Sequence, residues 1–179
     1  MPLTHPLRLE VQRRLANILR EITPGNGYVM DFSGAENTTS NKVFRGRSMF
    51  GEGDPLPMLS ILEVPIPIDL LPAPTNARYS SGSWELMVQG FALDDPVNPT
   101  DPGHIMLADV KQRLVFEREK ASARKAADGI LGLGDDVIGL QIGPGVVRPP
   151  DEVSAKAYFW LTISLELAED LGDPYQNGS

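Results

Sequence analysis

The chain has 179 residues, with 24 Asp and Glu against 16 Lys and Arg, for a formal charge of −8. It has no cysteine and only two histidines, His5 and His104, which excludes disulfide scaffolds, thiolate metal sites, cysteine nucleophiles and a three-histidine centre within one chain. The length suits one domain with long loops, and the acidic balance argues against tight binding to a phosphate backbone.

No targeting segment reads from the first ten residues, where Pro, His and Arg stand in place of an apolar run. Val11, Leu15, Ile18, Leu19 and Ile22 make one apolar stripe and predict a helix over residues 6–22. Thr4 reads as its N-cap and Pro24-Gly25 as its stop. Residues 28–32 read as a short strand, 33–41 as a polar loop, and 43–47 as the hairpin partner of 28–32. A Gly- and Pro-rich loop over 51–57 leads into a buried strand over 58–64. Prolines 65, 67, 72 and 74 keep the following stretch extended but unable to ladder, because proline has no N–H to donate. Ser60, Glu63, Pro65, Pro67 and Asp69 also interrupt this most apolar region too often for it to span a bilayer, so no membrane contact is expected.

Residues 84–93 predict a second buried strand. Asp101 followed by Pro102 marks a helix start, Asp101 as N-cap, with Leu107, Ala108, Val110, Leu114 and Val115 as the inward side. That helix grades into a charged run, residues 117–128, expected as a solvated face. Residues 137–142 read as a strand between glycine turns. From Val153 to Leu167 apolar residues occupy every second position, predicting a strand of about 50 Å at about 3.3 Å per residue. A strand that long either extends beyond its own sheet or pairs with a neighbouring chain. Together these elements predict an α/β (α+β) domain over 1–168. It has a mixed, mostly antiparallel sheet, two main helices packed on one face, a long C-terminal strand, and loop insertions near 33–41, 49–57 and 65–83. Residues 169–179 read as a flexible acidic tail.

Catalytic patterns are sparse. Gly132-Leu133-Gly134 resembles the start of a dinucleotide loop, but Val137 stands where the third glycine belongs. Asp94, Asp95, Asp101 and Asp109 form the densest carboxylate group, a set a two-metal hydrolase could use. Each also reads as turn, cap or helix chemistry, and His104 stands alone in a first helical turn. No catalytic residue, metal ligand or cofactor is therefore expected. Two pairs are candidate contacts with a neighbouring subunit or another protein. Arg45 and Arg47, two apart, would project from one strand face, either as a solvated charged edge or toward carboxylates of a neighbour. Tyr158 and Trp160 fall on the outer face of the long strand, to be covered by a second layer of the same chain or by a partner.

The run Val43-Phe44-Arg45-Gly46-Arg47, then Gly53-Asp54-Pro55-Leu56-Pro57-Met58 into Leu59-Ser60-Ile61-Leu62-Glu63, resembles the tail terminator (tail completion) proteins of long-tailed bacteriophages. The likeness continues in order through Trp84, Gln89-Gly90-Phe91, Asp94-Asp95, Pro99-Thr100-Asp101-Pro102, Leu107-Ala108-Asp109-Val110 and the closing strand, covering about residues 7–168. It implies a small α/β domain that assembles as a six-fold ring on the head-proximal end of a finished tail tube. There it stops further tube subunits adding and presents the surface that joins the head connector. The implied partners are further copies of the chain, the tail tube protein and the head–tail connector. Genome DNA would pass through the lumen without specific binding. The implied location is the virion tail, with assembly in the host cytoplasm. Alternatives are another head–tail joining or tail-tube component and, from another class, a metal-dependent hydrolase built on the aspartates.

Overall fold

The computed structural model describes residues 3–51, 53–65, 76–123, 128–152 and 154–175. Helix α1 spans Leu7–Arg20 and α2 spans Asp101–Ala123. The strands are β1 Val43–Arg45, β2 Met58–Glu63, β3 Tyr79–Phe91, β4 Val137–Ile142, β5 Val146–Arg148 and β6 Tyr158–Asp170. They form one six-stranded sheet in the order β1-β2-β3-β6-β4, with β5 also paired to β6. Only the β1–β2 pair is parallel. The fold is therefore mixed α+β, with a mostly antiparallel sheet, as the alternation and helical stripes predict.

Residues 28–32 are a correction. They form no strand, and β1 pairs with β2 in parallel rather than with them as a hairpin. The amides of Val29 and Met30 instead donate to Asp109 Oδ2 at 2.9 and 2.7 Å, and Phe32 N–H donates to the Ile22 carbonyl at 2.9 Å. Tertiary anchors thus replace a ladder. A parallel pair needs a crossover of a dozen or so residues, which is why a long connection separates β1 from β2.

α1 buries Val11, Leu15, Ile18 and Leu19 of the stripe read from the sequence, with Leu7 added at its start, and Ile22 is buried just past its end. Pro6, not Thr4, occupies its N-cap position, without a side-chain cap. In α2 the phase differs from expectation. Met106, Leu107, Val110 and Leu114 face inward, whereas Ala108 is exposed and Asp109, Arg113 and Glu117 are buried. Asp101 lies within the first turn, and the His104 N–H bonds the Thr100 carbonyl. The charged residues follow the 3.6-residue period, so the stripe includes them and they satisfy one another. Arg113 donates to Glu117 at 3.3 Å and to Glu21, just past the end of α1, at 2.7 Å. This joins the two helices over one sheet face.

β6 begins at Tyr158 rather than 153, and β3 begins at Tyr79 rather than 84. The two strands match along their whole length, from Tyr79↔Asp170 to Phe91↔Tyr158. The long strand is thus absorbed inside its own sheet by an equally long neighbour, not by another chain. Ser80, Ser81, Gly82 and Ser83 read as a loop in sequence because the ribbon they form with residues 166–169 is exposed on the β3 side. Phe159, Leu161, Ile163, Leu165 and Leu167 are buried against the helices, as the alternation predicts. Glu169 and Asp170 lie inside β6, not in a tail, and the Leu7 N–H donates to the Pro174 carbonyl at 3.2 Å. Most of the Pro-rich stretch, residues 66–75, and the terminal residues 176–179 lie outside the described residues.

Candidate functional site

Among the described residues, the face of the sheet away from the helices is covered by side chains at one end only. There Met58, Phe91 and Tyr158 form a second buried cluster, edged by Phe44, Phe50, Leu56 and Trp160. The rings pack in series, with centroids 4.4 Å apart for Phe50 and Phe91, 6.1 Å for Phe91 and Tyr158, and 5.5 Å for Tyr158 and Trp160. The crossover between β1 and β2 lies over them as a strap, so the same chain supplies the second layer over Tyr158. Tyr158 is buried and its hydroxyl donates to Asp151 at 3.1 Å; burial pushes its pKa up and the Asp151 hydrogen bond adds to that. Trp160 is half-buried. Beside the strap lies a groove of about 490 Å³, walled by Phe50, Leu56, Phe91 and Tyr158 and rimmed by Asp54 and Lys156.

Arg45 and Arg47 do not share a face. Gly46, at φ 69°, takes the left-handed conformation that ends β1, and its N–H bonds the Ile61 carbonyl. Arg45 lies on the helix side with Val43 and bonds Glu36 of the 33–41 loop. Arg47 crosses to the side away from the helices, its guanidinium 4.6 Å from the Phe44 ring centre and 5.3 Å from that of Phe50. There it pairs with Asp54. Both arginines therefore have carboxylate partners in their own chain, where the sequence reads them as a solvated edge or as facing a neighbour. Asp54 accepts the Gly51 N–H at 2.7 Å, and this bond, then the Arg47 pair, holds its carboxyl below the usual range against a burial effect that raises it. Burial likewise opposes the charge on Glu36, but the Arg45 hydrogen bond and the charges of Arg45, Arg13 and Arg20 outweigh it and lower its pKa.

The aspartates do not converge. Asp94 pairs with Lys156, Asp95 accepts the Val97 and Asn98 amides at 2.8 and 2.9 Å, Asp101 is exposed in a helical turn, and Asp109 holds the 28–32 segment. Among the described residues no group of three or more His, Asp or Glu is placed to hold a metal ion. His104 is exposed. The Gly132 region is a 3-10 turn, Ile130–Gly132, fastened to α1 by Arg14, which donates to the Leu131 and Gly132 carbonyls at 3.0 and 2.6 Å. No helix among the described residues is long and apolar enough to cross a membrane.

Sequence reasoning missed Glu36, Asp54 and Arg13 as parts of these surfaces. The only local sign was a carboxylate in each loop flanking Arg45 and Arg47. Comparison with protein families and with curated proteins gave no match for the chain.

Proposed function

We propose that the protein is a structural, non-enzymatic component of a phage tail. In this reading it caps the head-proximal end of the tail tube, stops its growth and forms the interface to the head connector. The observation that carries the reading is the way the motif order maps onto the fold. The 43–63 run supplies an edge strand, a strap and the next strand. Trp84 to Phe91 runs along β3, Asp101 starts the second helix, and the closing strand is central in the sheet. Two helices on one face of a mixed sheet agree with the small α/β domain that the resemblance implies. An acidic chain also suits a ring through which DNA slides, since few cations are available to grip phosphates.

Deleting the gene is the test, read by electron microscopy of tails. Overlong tubes are the expected result. Tubes of normal length that lack heads would move the protein to the head–tail joint, and normal, complete particles would overturn both assignments.

A further inference from the structure

Among the described residues, two charged patches on this chain carry an excess of one sign. The first lies at the β1 edge of the sheet, where Arg45 bonds Glu36, Arg20 bonds the Val43 carbonyl, and Arg13 stands about two turns before Arg20 on the same face of α1. Arg13 makes no direct hydrogen bond or ion pair with any described residue. Arg20 bonds Asn17, Asn41 and the Val43 carbonyl through its terminal nitrogens, but its Nε is buried with no hydrogen-bond partner. Three guanidiniums to one carboxylate runs against the composition of a chain in which acids outnumber bases. Like charges held close without a counter-charge cost free energy unless something arrives to neutralise them.

The second patch is acidic and lies on the face away from the helices. Glu85 stands opposite Ser164 and Glu166 opposite Ser83, so the two carboxylates flank the contact between the Ser83 and Ser164 hydroxyls. Both glutamates are exposed, and neither side chain bonds or pairs with a described residue. On its other side Glu166 faces Gly139 of β4, which offers no side chain. Diagonal neighbours of like charge on one sheet face repel rather than stabilise.

The basic cluster adjoins the helix side of the edge strand and the acidic pair occupies the opposite face of the central strands. One molecule cannot bring them together, but two can. We propose that the Arg13–Arg20–Arg45 cluster of one copy receives Glu85 and Glu166 of a second copy of this chain. Glu36 is the internal carboxylate that shows the cluster accepts that chemistry. Guanidinium forks bind carboxylates through paired, charge-assisted hydrogen bonds. Two different patches meeting make a heterologous contact, which repeats from copy to copy and closes into a ring when the rotation allows. The inference deepens the tube-capping role proposed above and rests on that reading only for closure into a ring; the contact itself belongs to the free protein.

Sedimentation velocity of the purified full chain tests it. Wild-type protein at about 50 mM salt is expected to self-associate with rising concentration, and to lose that association at about 0.5 M salt, where screening shortens the reach of charge. Arg13→Glu with Arg45→Glu, and separately Glu85→Lys with Glu166→Lys, should each weaken association by about a hundredfold or more. Mixed together, the two variants present opposite charges at both patches and should co-assemble. Arg13→Glu alone, which breaks no described bond, replaces the first double variant if circular dichroism shows that one unfolded. A wild-type chain that stays monomeric at low salt, variants that associate like wild type, or folded variants that fail to co-assemble would each overturn the contact. Tail length in the gene deletion is an independent readout. Overlong tubes with charge-insensitive copies would remove the contact and keep the terminator, and the opposite pattern would do the reverse.

Discussion

Gly90 and Asp109 show how much of this fold hangs on single side chains, present or missing. A Cβ on Gly90 would sit 2.2 Å from Phe159 Cε1 and 2.7 Å from Met106 Sδ, so the strand, β6 and α2 close over the space that glycine leaves. Gly90→Ala is expected to destabilise by about 1–3 kcal/mol in urea melts through overpacking. Gly139→Ala, whose nearest contact would be an ordinary 3.5 Å, should change stability by less than about 0.5 kcal/mol. Asp109 accepts two backbone amides through one oxygen. Asp109→Ala removes both acceptors and should cost about 2–4 kcal/mol, while Asp109→Asn keeps a carbonyl oxygen and should lose about half as much. Neither role was visible in sequence. Asp109 reads only as a helix residue until residues 28–32 are placed against it, and nothing local marks Gly90 until Phe159 and Met106 close over it.

At the scale of elements, the alternation in β6 decides which side chains matter. Leu161 is fully buried and Thr162 exposed, so Leu161→Ala should cost about 2–5 kcal/mol and Thr162→Ala less than about 0.5 kcal/mol. Equal losses in denaturant melts would contradict the facing described above. The strap behaves differently, because its latch is polar. Arg47→Ala removes the Asp54 pair and the contacts with Phe44 and Phe50, and should destabilise by about 1–2 kcal/mol. Hydrogen exchange should show faster amides in the loop between β1 and β2 than in β6. Arg45→Glu with Arg47→Glu, which leaves the fold untouched if both arginines are merely exposed, is expected instead to lower the melting temperature, since each new carboxylate would face Glu36 or Asp54. Period-2 and period-3.6 patterns make the two helices, β2, β4 and the core half of β6 legible in the amino-acid sequence. The start of β3 and the parallel joint are not, because a hydroxyl-rich ribbon has no apolar signal and pairing partners are not encoded locally.

For the molecule as a whole, a set of carboxylates ties stability to pH. Asp31, Glu36, Asp54, Asp95 and Asp170 all have pKa values held below their ordinary 3.8 or 4.5 by hydrogen bonds from amides, hydroxyls or arginines. The unfolded chain therefore binds more protons than the folded one across that interval, and stability rises with pH there. Their contribution is complete above the ordinary carboxylate pKa and fades as pH drops through the lower folded values. The urea midpoint should fall between about pH 5 and about pH 3, and Asp54→Asn should flatten part of that slope. An unchanged midpoint over the interval would mean these bonds stabilise nothing.

The β3–β6 ladder also dictates when the protein can fold. The strand at the middle of the sheet is contributed by Tyr158–Asp170, after both helices and every other strand have left the ribosome. Until it arrives, Leu86 and Val88 have no neighbour on that side, and β4 and β5 have no ladder at all. Tyr79 must find Asp170, and Phe91 must find Tyr158, across a chain that already contains α2. Loop closure of that span comes before any reward from pairing, and distant pairings slow folding. A nascent chain of this protein therefore carries an open, apolar half-sheet from the completion of β3 until β6 emerges, and completes its core in that one step.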